Sequence, residues 1–364
     1  MNEETTIRAD TPADFDQMVQ RAGDDPRELT TLSRLARTMG REGDAYPIAR
    51  RARALAPHDP EIAILTHEPF AAAVPSWHFR IIADHRRNTA YDAAIRRAVT
   101  PGCTVLDIGS GTGLLAMMAA RAGAGHVYSC EMNPAVAEAA RAIVAANGLA
   151  DRVTVIAKKS TDLDLAVDLG GAPVDVLVSE IISNDLLAEA ALPVMNDAVR
   201  RLLKPGGRMV PESGQILVAL ADLPLPEREF LYDVAGFDVS LFHALAERPQ
   251  LVKTDDPDLR LRSPAKELFH FDFTTGGPWG PLRAWTDCIA DGGRVSGVVQ
   301  WMRFQLDAET VYETRPGPGP SSSWATLFYP FDCPVRPPAG SALRIEGVHD
   351  EQNVLLWADE ASFR

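Results

Sequence analysis

The sequence predicts a doubly wound α/β domain followed by an antiparallel β domain, with a short helical segment ahead of both. Three observations carry this. From residue 101 apolar runs of strand length alternate with helix-length stretches, the rhythm of a mainly parallel sheet. After Pro211 the helical stretches stop, and strand-like runs follow one another between turn residues. Before residue 64 apolar positions recur at helical spacing. The expected boundaries are 1–63 for the helical segment, 64–211 for the α/β domain and 212–364 for the β domain.

In the first segment Leu29, Leu32, Leu35, Ala36 and Met39 form one apolar stripe. Ala45, Ile48, Ala49, Ala52, Leu55 and Ala56 form another. Asp44 is expected to cap the second helix, with Pro47 in the first turn, where a missing N–H does no harm. The small residues and Pro57 of "ARRARALAPHDPE" resemble a tetratricopeptide unit, and they also suit an ordinary helical hairpin. One repeat cannot bury its own face, so the pair is expected to dock on the rest of the chain or on a second subunit. Residues 70–100 read as helical.

The strands of the α/β domain are "CTVLDIG", "HVYSCE", "RVTVIA", "VDVLVSE" and "LKPGGRMVP", with helices through "LLAMMAARAG", "AVAEAARAIVAANG" and the stretch containing Pro193. The later strands are "QILVALADL", "ELFHFDFTT", "SGVVQWMRFQL", "WATLFYPF" and "ALRIEGV", and "RPGPGPSSS" is a loop.

Of the 364 residues 46% are apolar and 24% charged, an ordinary globular balance. The net charge of −14 argues against binding to phosphate backbones and favours a cationic partner by steering. Cysteines at 103, 130, 288 and 333 form no CxxC, the histidines form no HExxH, and no metal site is expected. The acidic N-terminus lacks the apolar core of a signal peptide, and no apolar run is long enough to span a bilayer. These features predict a cytoplasmic protein.

"VLDIGSGTGLL", 105–115, is an apolar strand, then Gly109, Gly111 and Gly113, then a helix. Glycines there let the backbone turn tightly and approach a ligand. Glu131 ends the next strand, where a carboxylate can accept both hydroxyls of a ribose. The spacing is G-x-G-x-G, not the G-x-G-x-x-G of dinucleotide sites, and Asp107 precedes it. That carboxylate would repel the pyrophosphate of a nicotinamide cofactor but suit a cationic amino-acid end. The pattern resembles the class I S-adenosylmethionine-dependent methyltransferases, and "LKPGGRMV" resembles their late strand-and-loop motif. The resemblance implies a Rossmann-like sheet, S-adenosyl-L-methionine as cofactor and S-adenosyl-L-homocysteine as product.

"SEIISNDLLAE", 179–189, places Glu180 and Glu189 either side of an apolar and amide-bearing segment. Carboxylates are costly there unless a cation meets them; taken alone, the pair is also a strand end and a solvated helix face. The stretch resembles the paired-glutamate loop of the protein arginine methyltransferases, which implies that Glu180 and Glu189 clamp one guanidinium. Other stretches extend the likeness. "DHRRNTAY" implies Arg87 on the methionine carboxylate, "WHFRII" a cofactor-contacting His78, and "KKSTDL" Ser160 and Thr161 at the adenine. "SSSWATLFY" implies Trp324 beside the arginine pocket, with its indole placed to stack on a guanidinium.

The likeness is strongest to the monomethylating branch. It implies a β-barrel after the nucleotide-binding domain, a cationic protein or peptide substrate, and a homodimer with an arm near 231–250. The chain departs from the family at Ser323, which replaces a loop histidine expected to pair with Asp84, and at Ser183, where the branch has an acid. A different methyl acceptor, or a non-catalytic interaction module, are the alternative functions.

Overall fold

The structure, a computed structural model, describes residues 12–224, 233–245 and 249–359. The chain divides into two compact units, 1–79 and 80–364.

The first unit is helical: α1 (Pro12–Ala22), α2 (Pro26–Thr38), α3 (Glu42–Leu55), α4 (Pro60–Leu65) and α5 (His67–Ala73). Asp25 caps α2 by accepting from the N–H groups of Arg27 (2.8 Å) and Glu28 (3.2 Å), and Asp59 caps α4 in the same way. The expected stripes meet in a core of Phe15, Leu29, Leu32, Ala36, Ala45, Ala52 and Ile62. The start of α3 corrects the sequence reading. Glu42 and Asp44 both favour the positive end of the helix, which therefore begins at Glu42. Asp44 accepts from Arg41 Nε at 2.6 Å instead of capping, and Pro47 falls beyond the first turn.

Residues 70–100 are interrupted at Pro75 and Asp84, giving α6 (Trp77–Ala83) and α7 (His85–Ala98). There follow β1 (Thr104–Ile108), α8 (Leu114–Ala122), β2 (His126–Cys130), α9 (Pro134–Ala146), β3 (Val153–Ile156), α10 (Leu165–Asp168), β4 (Val174–Ser179), α11 (Ala191–Arg201) and β5 (Leu203–Val210). Pro193 is the third residue of α11, where no intrahelical bond is lost. The five strands form a parallel sheet in the order β3-β2-β1-β4-β5. The order reverses at β1 and β4, which is where open α/β sheets hold ligands. Ile108 pairs with Ser179 there, so the glycine loop and the glutamate loop leave the sheet side by side.

The rest is antiparallel: β6 (Ser213–Asp222), β7 (Asp233–Val234), β8 (Phe237–Asp238), β9 (Gln250–Val252), β10 (Arg260–Leu261), β11 (Lys266–Asp272), β12 (Leu282–Ile289), β13 (Val295–Gln305), β14 (Val311–Glu313), β15 (Thr326–Val335), β16 (Ala342–His349) and β17 (Val354–Ala358). Among the described residues one sheet runs β10-β6-β13-β15-β9, with β11 on β6 and β14 on β13. A second runs β12-β16-β17, and β7 pairs with β8. This is the expected fold class. One apolar core runs from Leu106 and Leu177 to Phe271 and Phe304, on both sides of residue 211, while residues 63 and 64 both lie within α4.

Of the expected arm, residues 231–232 and 246–248 lie outside the described residues. The remainder holds the β7–β8 hairpin and a 3₁₀ turn, Ser240–Leu245. No helix among the described residues is long and apolar enough to cross a membrane, and no group of described side chains could hold a metal.

Candidate active site

The glycine loop has Gly109, Gly111 and Gly113 all at positive φ. A Cβ on Gly109 would lie 2.7 Å from Ile181 Cγ2, so only glycine lets the two loops leave the sheet together. The N–H groups of Gly109 and Ser110 both donate to Cys130 O at 3.0 Å, tying the loop to the end of β2. One residue on, Glu131 accepts from Gly111 N (3.1 Å) through one oxygen and Asn133 N (2.8 Å) through the other. Each oxygen keeps a second lone pair for a ligand hydroxyl.

Asp107 is buried under the loop. Its Oδ2 accepts from Ser129 Oγ at 2.7 Å, and Ser129 in turn contacts Ser110 at 2.5 Å. Its Oδ1 is buried without a partner. Burial pushes the Asp107 carboxyl up to about 6. A buried, unsatisfied acceptor of this kind fits an ammonium-bearing ligand.

The first turn of α7 carries Arg87, whose Nη2 donates to Glu180 Oε2 at the end of β4. The two side chains are only 5% and 6% exposed. Nη1 donates to Asn88 Oδ1 at 2.8 Å, and Nε is buried with no partner. Glu189 is exposed, yet close enough for its charge to act on Glu180. Leu186 in the loop between them, Glu189 itself and the next residue, Ala190, lie in the left-handed region.

Burial lifts the Glu180 carboxyl to about 7 from an ordinary 4.5; Arg87 opposes the rise and Glu189 adds to it. The native state then holds a proton that the unfolded chain releases, so stability falls as pH rises from the unfolded value through about 7. Thermal melts of the ligand-free protein should show this as a difference. Relative to Glu180→Gln, the wild type is expected to lose stability between pH 5 and 8; parallel curves would contradict it.

A barrel loop holds this arrangement from the other side. Asp84, which caps α7 through Arg87 N (3.0 Å), also accepts from Ser323 N (2.8 Å) and Tyr312 OH (3.0 Å). Burial alone would raise its carboxyl, but these donors hold it below the usual range. The sequence expectation that Ser323 abolishes the Asp84 pairing is thus corrected: the backbone amide at 323 and a tyrosine hydroxyl take the histidine's place. Trp324 is 3% exposed, with Nε1 donating to Ile182 O at 2.8 Å, and Ala325 N donates to Asn184 Oδ1 at 2.8 Å. The cation that the structure sets over the Trp324 ring, at 6.0 Å, is Arg87.

The turn at 160–163 is held from α11. Arg201, paired with Asp197, donates to the carbonyls of Ser160 (2.9 Å), Thr161 (3.2 Å) and Leu163. Ser160 is buried and Thr161 exposed. His78 belongs to the first unit, where its ring stacks on Trp77 with centroids 3.8 Å apart. Tyr312, Asn184 and Arg201 are not singled out in the sequence, and none of them carries a local signal.

Residues 99–245 match a family model described as a methyltransferase domain. An arginine N(omega)-methyltransferase of Streptomyces achromogenes subsp. streptozoticus is 40% identical over 320 residues, 86% of this chain and 85% of that protein. The chain belongs to the arginine N-methyltransferase family. Within it, protein arginine N-methyltransferase 7 of Oryza sativa subsp. indica is 33% identical over 265 residues, 65% of this chain but 36% of that protein. The chain thus spans about a third of that arginine methyltransferase and most of the Streptomyces one. The fold is shared with the Trypanosoma brucei PRMT1 enzyme–prozyme heterotetrameric complex with AdoHcy, at TM-score 0.69 and 24% identity over 79% of this chain and 94% of that one.

Proposed function

We propose that this protein transfers a methyl group from S-adenosyl-L-methionine to a guanidinium nitrogen of arginine in a protein or peptide. The observation that carries the reading is Glu180: a carboxylate buried at the sheet's switch point, already bonded to a guanidinium and sensing the charge of Glu189. S-adenosyl-L-methionine, when bound, supplies a methyl group on a sulfonium and leaves as S-adenosyl-L-homocysteine. Arg87 would hold its carboxylate, Asp107 its ammonium and Glu131 its ribose, with Ser160 and Thr161 at the adenine turn. His78 enters this set by resemblance alone.

Glu180 and Glu189 accept charge-assisted hydrogen bonds from the acceptor guanidinium, a planar cation at any cellular pH. That holds one terminal nitrogen still and draws positive charge onto the others. Alignment of this kind is worth roughly 7–11 kcal/mol of the barrier. Trp324 acts here by bracing the glutamate loop through Ile182 O. The acidic chain, at −14, attracts a cationic substrate.

Free arginine as acceptor is a second reading. The relative matched over 85% of its length is named for arginine, whereas the curated relatives named for protein arginine are matched over about a third or less. A homodimer fits the exposed apolar side chains of the expected arm, Phe237, Leu241 at 92% exposure, Phe242 and Leu245. Four unpaired cysteines, three of them buried, fit a reducing cytoplasm.

The test is incubation with labelled cofactor and, in separate arms, arginine-rich peptides and L-arginine. Label is expected on methylated guanidine, and product mass counts the methyl groups. Label on another side chain, or none in any arm, would end the assignment.

A further inference from the structure

The stretch just ahead of Trp324 has few means of holding its own shape. Pro316, Pro318 and Pro320 have no backbone N–H to give, and Gly317 and Gly319 between them add torsional freedom. Its anchors lie elsewhere in the second unit. Arg86 Nη1 donates to Pro320 O at 3.1 Å, Gly317 N to Thr254 O at 2.8 Å, and Ser322 N to Thr254 Oγ1 at 2.9 Å. Thr254, just past the end of β9, is 4% exposed and holds the loop at two points, through its carbonyl and its hydroxyl. The end of β9 is itself fixed to the strand that follows Trp324, where Thr326 Oγ1 donates to Val252 O at 3.0 Å.

We propose that Thr254 is a positioning residue for methyl transfer: its hydroxyl sets Ser322 and, through Ser322, the wall of the acceptor site. The inference rests on the arginine methyltransferase reading above and adds to it a residue that serves the acceptor side.

The hydrogen bonds beyond Thr254 have a fixed direction. Tyr312 OH gives its one proton to Asp84, so Ser322 Oγ donates to Tyr312 OH at 2.9 Å and accepts from Trp324 N at 3.2 Å. Releasing Ser322 N from Thr254 therefore moves an oxygen on which both Tyr312 and Trp324 depend. Trp324 passes the effect on, since its Nε1 donates to Ile182 O and the next amide, Ala325 N, donates to Asn184 Oδ1. Ile182 and Asn184 both lie between Glu180 and Glu189. The branch through Tyr312 ends on Asp84, which keeps the amides of Arg87 and Ser323. Asp107 and Glu131 are bonded within their own strand ends and loop, to Ser129, Gly111 and Asn133. The disturbance thus reaches the proposed clamp and spares the proposed donor site.

The test uses the full chain with Thr254→Val, which keeps the side chain's shape without its hydroxyl, and Thr254→Ser, which restores the hydroxyl. In Thr254→Val, kcat/KM for the methyl acceptor is expected to fall about tenfold, the scale of one buried hydrogen bond lost. Affinity for S-adenosylhomocysteine is expected to stay at the wild-type level, and Thr254→Ser to behave as wild type. Ser322→Ala cuts the same path one bond on and is expected to reproduce the split. Hydrogen exchange read by mass spectrometry supplies a measurement that needs no activity: amides of 181–189 should exchange faster in Thr254→Val while those of 105–115 do not change. Matching losses of acceptor and cofactor affinity, a serine variant no better than valine, or unaltered exchange at 181–189 overturns the proposal. A wild-type chain that methylates no arginine ends the earlier reading instead, and the exchange at 181–189 still decides whether Thr254 positions that loop.

Discussion

Glu180→Gln is expected to cut methyl transfer by two to three orders of magnitude while cofactor binding stays at or above the wild-type level. The substitution keeps the shape of the side chain but removes the charge that meets a guanidinium. Truncating one member of a buried, hydrogen-bonded charge pair costs about 2–5 kcal/mol, which converts to that loss of rate. The donor site loses no residue, and Arg87 gains freedom because its present partner has become neutral. Single-turnover kinetics with titration of S-adenosylhomocysteine separates the two quantities. Near-normal turnover in the double substitution Glu180→Gln/Glu189→Gln would remove the clamp from the mechanism.

The largest loss of stability is expected at Asp84. Its carboxylate accepts from Arg87 N, Ser323 N and Tyr312 OH, and it is buried. Asp84→Ala leaves the amides of Arg87 and Ser323 without an acceptor, while Tyr312 OH can still turn to Ser322 Oγ at 2.9 Å. Each buried orphan costs roughly 1–3 kcal/mol, so about 3–5 kcal/mol is expected after the loop and the start of α7 relax. Asp84→Asn keeps an acceptor for the helix cap and should cost less. Urea unfolding of the three proteins measures both, and a cost for Asp84→Ala below that of Asp84→Asn would refute the assigned network.

Most of the proposed donor site is legible in the sequence because its logic is local. A strand, three glycines and an acid at the end of the next strand lie within 27 residues, 105–131, and the fold brings them together through neighbouring strands. The glutamate loop was legible from its contrast of acids against apolar neighbours and from its likeness to a known loop. What stayed hidden is long-range. Asp84 meets Tyr312 across 228 positions, and no pattern around either announces the meeting. The histidine missing at 323 suggested a lost contact because the sequence displays side chains, whereas the substitute donor is a backbone N–H. Arg87 was read as a ligand for the cofactor alone, since nothing in "DHRRNTAY" reveals a carboxylate 93 positions away. The start of α3 differs from the sequence expectation for a local reason: Pro47 does not mark the first turn, because two earlier acids draw the helix out ahead of it.

The left-handed residues Leu186, Glu189 and Ala190 have a cost of their own, about 1–2 kcal/mol for each such residue that is not glycine. Eleven residues excised as a peptide would therefore relax into extended or right-handed chain and forget the shape of the pocket. The memory of that shape is kept by distant ties, from the indole of Trp324 and the amide of Ala325. A fragment ending before the β domain would thus keep the crevice proposed for the nucleotide but lose the loop shape proposed to grip arginine, and on that proposal recognition of the acceptor is inherited from the whole second unit.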